Sequence, residues 1–233
     1  MPRISSFAAE NPIEMTNNPL LQFGNLPIES KTIEACYKDL KAPIKKVQSL
    51  EKAGDIVRLR RGLYVVSPEL SGKYIEKYLC ANHIYEPSYI SLHWALWWYG
   101  LIPELVYTMT SITTKRSHLF KTAYGRYEYR QVTPDYYNIG IREILYNNTP
   151  ILIATPEKAL CDFILKDRFV PSWSVKSLIQ YLEEDIRFYM DALLDFDVSI
   201  VEECARQGRK TTVFKNLIKI IESWKQTYFP VKL

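Results

Sequence analysis

Residues 52–66 read KAGDIVRLRRGLYVV, and three of the five residues from 57 to 61 are arginines: Arg58, Arg60 and Arg61. A guanidinium stays charged at any physiological pH and offers a fixed fork of N–H donors, so a cluster of them suits phosphate or carboxylate oxygens. Just upstream, PIKKVQSLEK at 43–52 sets Lys45, Lys46 and Lys52 around Gln48 and Ser49. Lysines reach phosphates, and short polar side chains reach base edges. Between residues 41 and 61 there are seven Lys/Arg against two acids, Glu51 and Asp55. That local excess of five sits on a chain whose net charge is only +4, so the remainder sums to about zero. A basic patch on a near-neutral protein is the footprint of a small nucleic-acid-binding module.

Two other groupings carry residue types that do chemistry. Glu157-Lys158 with Asp162 has the components of a metal-dependent nuclease. Such a site wants an acid and a lysine one residue apart on a strand with another acid upstream, whereas Glu157 and Lys158 are adjacent and open a helix. Cys80-Ala-Asn-His83 has half of a zinc-site spacing, with no second Cys/His pair after it. There is no glycine-rich phosphate loop, nucleophile elbow or His-Glu zinc motif. Three histidines and eight glycines leave the usual catalytic materials scarce. The expectation is a non-enzyme with no catalytic residue, no metal and no cofactor.

The elements that position the basic residues follow from periodicity. Residues 1–17 lack it and read as a flexible N-terminal arm. A short apolar segment, PLLQF, starts at Pro19 and reads as a first helix. Ser30 reads as an N-cap for a helix of about ten residues carrying Ile33, Cys36, Tyr37 and Leu40 on one face. Pro43 suits the first position of the next helix, and Gly54 stops it. On that helix Ile44, Val47 and Leu50 form the face expected to pack on the preceding helix. Lys45, Ser49 and Lys52 point away, flanked by Lys46 and Gln48. Alternation on both sides of Arg61-Gly62 predicts a hairpin. Helix, turn, helix, basic hairpin is the winged helix-turn-helix plan.

After Pro68 the composition changes. The pattern predicts a helix over about 71–81 and another in PSYISLHWALWWYGLIPE, ended by Gly100 and barred from returning by Pro103. The aromatics of 94–99 and His93 read as core rather than as a base-stacking platform. Residues 106–114 and 126–132 alternate as strands, and ILIA at 151–154 fits a buried one. Thr155-Pro156-Glu157 starts a helix well. From about 172 the pattern is mostly helical. The expected fold is α+β: an arm over 1–17, a winged helix-turn-helix over 18–68, and a mixed α+β domain over 69–233 with a small sheet and a helical C-terminal tail.

No apolar run has signal-peptide or membrane-span length, which predicts a cytoplasmic protein with no membrane partner. Cys36, Cys80, Cys161 and Cys204 lie far apart and read as small core residues of a reducing compartment.

Three stretches together resemble the AbiEi antitoxins of type IV toxin–antitoxin systems, an abortive-infection family of transcriptional regulators. They are LEKAGDIVRLRRGLYVV at 50–66, YISLHWALWWYGLIPE at 89–104 and IATPEKALCDFI at 153–164, with FKTAYGRYEYRQV at 120–132 between them. The resemblance spans roughly residues 30–165. It implies an N-terminal domain that binds operator DNA and represses its own operon. It also implies a C-terminal domain that opposes a nucleotidyltransferase-like toxin without forming a stable complex. The DNA-contact role carries over to the helix at 43–53 and the hairpin, hence to Lys45, Lys46, Gln48, Ser49, Lys52, Arg58, Arg60 and Arg61. Ser91, Glu157, Lys158 and Asp162 match signature positions, and the match assigns them no role. Two rival readings stay open. In one the winged helix is a scaffold for a protein partner such as the toxin; in the other the chain is a nuclease or an enzyme that reverses the toxin's modification.

Overall fold

The computed structural model describes residues 18–172 and 174–228, so the arm expected over 1–17 lies outside the described residues. The chain is mixed α and β, with two sheets, and divides into two compact units, one running to Ile75 and the other starting at Glu76.

The first unit opens with a single 3-10 turn, Leu21–Phe23, where the sequence predicts a helix. Then come β1 (Ile28–Glu29), α1 (Ser30–Cys36), α2 (Pro43–Ala53), β2 (Ile56–Arg60), β3 (Leu63–Val66) and the short α3 (Pro68–Ser71). Ser30 is the first residue of α1 rather than its cap. Its backbone N–H is already taken by Gly62 O at 2.8 Å, and the cap position falls on Glu29. The helix also stops at Cys36, earlier than its apolar spacing predicts, and Leu40 is exposed. Pro43 does occupy the first turn of α2. Gly54 ends that helix in the left-handed conformation, with φ 84°, which costs glycine nothing. β3 lies between β1 and β2, antiparallel to both. The core beneath is Leu20, Ile28, Ile33, Val47, Leu50, Ile56, Tyr64 and Val66. Leu70 packs on this core and Asn25 Nδ2 donates to Tyr74 O, so the unit extends past the expected boundary at Pro68.

The second unit has a larger sheet than the sequence predicts. Its six strands are β4 (Ser88–Ile90), β5 (Met109–Thr113), β6 (His118–Thr122), β7 (Gly125–Gln131), β8 (Ile141–Tyr146) and β9 (Thr149–Ala154), in the order β6-β7-β5-β4-β9-β8. The β5–β7 and β4–β9 pairs are parallel and the others antiparallel. The first helix, α4 (Lys77–Ile84), begins six residues later than predicted because Gly72 already ends α3 with φ 65°. Then come α5 (Leu92–Trp98), α6 (Pro134–Tyr137), α7 (Pro156–Lys166), α8 (Val175–Gln180), α9 (Val198–Gln207) and α10 (Thr211–Tyr228). Val213, Phe214, Leu217, Ile220 and Ile221 put the buried stripe of α10 at helical spacing. Trp94, Ala95 and Leu96 of α5 are core, and Trp94 stacks on Trp98 with ring centroids 5.2 Å apart. Among the described residues no helix is long and apolar enough to cross a membrane.

Candidate functional site

In the first unit, α2 is half-buried by Val47 and Leu50. At 100° per residue these two lie on one side, and Ile44, Lys45, Gln48, Ser49 and Lys52 share the opposite arc. All five are exposed. Ile44 therefore does not pack on α1 as its apolar character predicts; it is 59% exposed. It sits one residue into the helix, ahead of the turn that reaches the core. Lys46 leaves the outward arc. Its Nζ lies 5.3 Å from the centroid of the Tyr37 ring and the side chain is half-buried.

The β2–β3 hairpin carries the arginines. Residues 56–58 pair in register with 66–64, and the register shifts between Arg58 and Arg60. The turn is Arg61-Gly62, with Gly62 at φ 80°. Two arginines have acidic partners. Arg58 Nη2 stands 2.7 Å from Glu51 Oε2 on α2, with the guanidinium 5.8 Å from the Tyr64 ring centroid. The Glu51 hydrogen bond raises the Arg58 pKa, holding its charge. Arg60 Nη2 stands 2.7 Å from Glu29 Oε1 on β1. Arg61 is exposed at the tip, its side chain without a partner among the described residues. An exposed ion pair contributes about 0–1 kcal/mol, so a phosphate can replace Glu51 at little cost. Arg58 thus stays available to an anionic ligand despite its partner. Glu29 and Glu51 are the members of this surface that sequence reading misses. Glu51 is visible there only as an acid inside a basic segment, because its partnership depends on how the hairpin folds back onto α2.

The four signature positions meet elsewhere, inside the second unit. Ser91 follows β4, and Glu157, Lys158 and Asp162 lie on α7, capped by Thr155 Oγ1 accepting from Lys158 N at 3.3 Å. Asp162 Oδ2 accepts from Ser91 Oγ at 2.6 Å and from Tyr89 Oη at 3.0 Å. Its Oδ1 faces Lys158 Nζ at 3.2 Å, one helical turn away. Lys158 Nζ also donates to Tyr136 O at 2.8 Å and lies over the Tyr136 ring, 3.2 Å from its centroid. Glu157 Oε1 accepts from Asp197 N at 3.0 Å, joining α7 to the start of α9. Lys158 is also pressed by backbone. A β-carbon at Gly140, whose φ is 56°, would come within 2.8 Å of Lys158 Cβ.

Ser91, Lys158 and Asp162 have no exposed surface, and Glu157 is 7% exposed. Burial pushes the Tyr89 phenol well above its usual range, and the Asp162 carboxylate adds to the shift. The buried carboxylate is charge-compensated by the ammonium and accepts two hydroxyl hydrogen bonds on Oδ2, while Oδ1 has no hydrogen-bond partner among the described residues. A nucleophile, base or metal ligand must meet a substrate, and these side chains meet one another, Tyr89, Tyr136 and the Asp197 backbone beneath the surface. Their arrangement ties β4, α6 and α7 together. It also stands beside Leu92, held at φ 61°, a left-handed conformation that costs a non-glycine residue about 1–3 kcal/mol. Among the described residues no group of three His, Cys, Asp or Glu is placed to hold a metal ion. No protein-family model matches the chain, and no curated protein matches it.

Proposed function

We propose that the first unit is a winged helix-turn-helix that binds double-stranded DNA at the operator of its own operon, and that the protein is a cytoplasmic transcriptional repressor and antitoxin. The observation that carries the DNA reading is the outward arc of α2, with Lys45, Gln48, Ser49 and Lys52 exposed together and Arg58 of the adjoining hairpin held against Glu51 of the same helix. The element order and the β1-β3-β2 sheet support it, since they place the hairpin next to α2.

In this reading α2 enters the major groove. Lys45, Lys52, Arg58 and Arg61 meet phosphates and supply the salt-dependent share of affinity. Gln48 and Ser49 read base edges, and the exposed Ile44 adds an apolar contact suited to a thymine methyl. Lys46 and Arg60, engaged with Tyr37 and Glu29, stand behind this front. The antitoxin role, against a nucleotidyltransferase-like toxin, rests on the family resemblance of the motifs alone.

The test is DNA binding by Lys45→Ala with Arg61→Ala. Loss of two phosphate contacts should weaken binding to every sequence and flatten the salt slope by about 2. An unchanged slope removes these residues from the interface.

A further inference from the structure

The second unit contains a cleft that neither the DNA surface nor the buried ion pair uses. It lies where the end of α7 meets β7 and the start of α5, has a volume of about 480 Å³, and is lined in part by His93, Glu128, Arg130, Lys166, Arg168 and Phe169. That volume falls within the ~300–1,000 Å³ typical of small-ligand sites.

Its charges do not cancel. Arg130 Nη2 is 2.6 Å from Glu128 Oε1. The other acid, Asp167, keeps its charge while Oδ2 accepts from Tyr181 Oη and Oδ1 accepts from Phe169 N, so Arg130, Lys166 and Arg168 stand against two carboxylates. Lys166 donates to the carbonyl of Gln131, which brings no charge. Arg168 is exposed, its side chain without a partner among the described residues. Burial lowers the Lys166 pKa; the Asp162 charge opposes that shift, and the positive charges of Arg209 and Arg130 add to it. Cations crowded together in this manner are relieved by a bound anion.

Aromatic surface stands beside them. Phe169 is 86% exposed at the cleft, an apolar ring that none of the described residues covers. His93 packs edge-on against Phe163, ring centroids 4.6 Å apart, and burial lowers its pKa, leaving the imidazole neutral at pH 7. Cations at the C-terminal end of a helix are favoured by the helix dipole alone, and that accounts for Lys166. It does not account for an exposed phenylalanine beside an arginine that has no side-chain partner among the described residues.

We propose that this cleft binds a nucleotide, with its phosphates on Arg130, Lys166 and Arg168 and its base against the Phe169 ring. Arginine and lysine supply charge-assisted hydrogen bonds to phosphate oxygens, and an aromatic face stacks on any base. The cleft's size favours a single free nucleotide over a strand.

Calorimetric titration of the full chain with ATP, tripolyphosphate and adenosine tests this. ATP should bind saturably, one per chain, and more tightly than either fragment. Arg168→Glu should weaken ATP about tenfold or more by turning a charge-assisted contact into repulsion. Phe169→Ala should weaken ATP about fivefold or more while leaving tripolyphosphate unchanged. Both side chains are exposed, and an unchanged unfolding midpoint verifies the fold of each variant. DNA affinity should survive both changes. The proposal is overturned if ATP shows no saturable binding at millimolar concentration, or if Arg168→Glu leaves ATP affinity intact. Phe169→Ala weakening ATP and tripolyphosphate equally, or neither, also overturns it. If Arg168→Glu abolishes ATP and DNA binding together, the cleft belongs to the DNA surface and the nucleotide assignment falls.

Discussion

Arg58 on β2 reaches Glu51 on α2, Nη2 to Oε2 2.7 Å, so the basic hairpin is tied to the helix it flanks by an acid that competes with any phosphate. Removing that competitor should strengthen DNA binding. Glu51→Gln is expected to tighten binding a few-fold and to steepen the salt dependence by up to about one phosphate contact. Fold stability should change by less than about 1 kcal/mol, because the pair is exposed. Fluorescence anisotropy at several salt concentrations reads both effects. A weaker-binding variant would mean that Glu51 serves to aim Arg58 rather than to occupy it.

The buried pair behaves differently. Lys158→Met leaves the Asp162 carboxylate buried with only two hydroxyl donors, and Asp162→Asn leaves the ammonium buried beside a carbonyl. Each should destabilise the second unit by about 3–5 kcal/mol. The double variant Lys158→Met with Asp162→Leu should lose less than the sum, since no uncompensated charge remains. All five tryptophans lie at or beyond position 94, so urea unfolding followed by tryptophan fluorescence reports this unit selectively. Losses below about 1 kcal/mol would show that the pair does not hold the fold.

Thiol chemistry separates Cys36 from the rest. Cys36 is partly exposed, whereas Cys80, Cys161 and Cys204 have no exposed surface. Burial pushes the Cys80 thiol up to about 12 and raises Cys161 as well; the hydrogen bond with Cys161 lowers Cys204, so there it is burial alone that keeps the reagent away. The thiolate is the reactive form, so at pH 8 an aromatic disulfide reagent should titrate one thiol quickly and the other three only after unfolding. A second fast thiol would contradict the packing of α4, α7 or α9.

What was legible in the sequence was local. Pro43 and Gly54 bracket α2, Arg61-Gly62 marks the hairpin tip, and Thr155-Pro156 opens α7, because each is punctuation written in backbone chemistry. What escaped depended on distant partners. Ile44 looked like core by residue type, yet α1 stops too early and Ile44 too near the helix start for burial. Strand β4 is three residues long, too short for an alternation pattern, and β6 and β8 lie at the sheet edges with mostly exposed side chains. The charges of Glu157, Lys158 and Asp162 resemble the components of an active site. Only the surrounding Tyr89, Ser91 and Tyr136, far away in the chain, show that they are buried.

Operator binding is decided by fluorescence anisotropy of the full chain with the region upstream of its own gene, against scrambled DNA of equal length, at two salt concentrations. A repressor should bind the upstream region tightly and the scrambled duplex much more weakly, and should lose affinity as salt rises. Equally weak binding to both would contradict operator binding and make the first unit a scaffold.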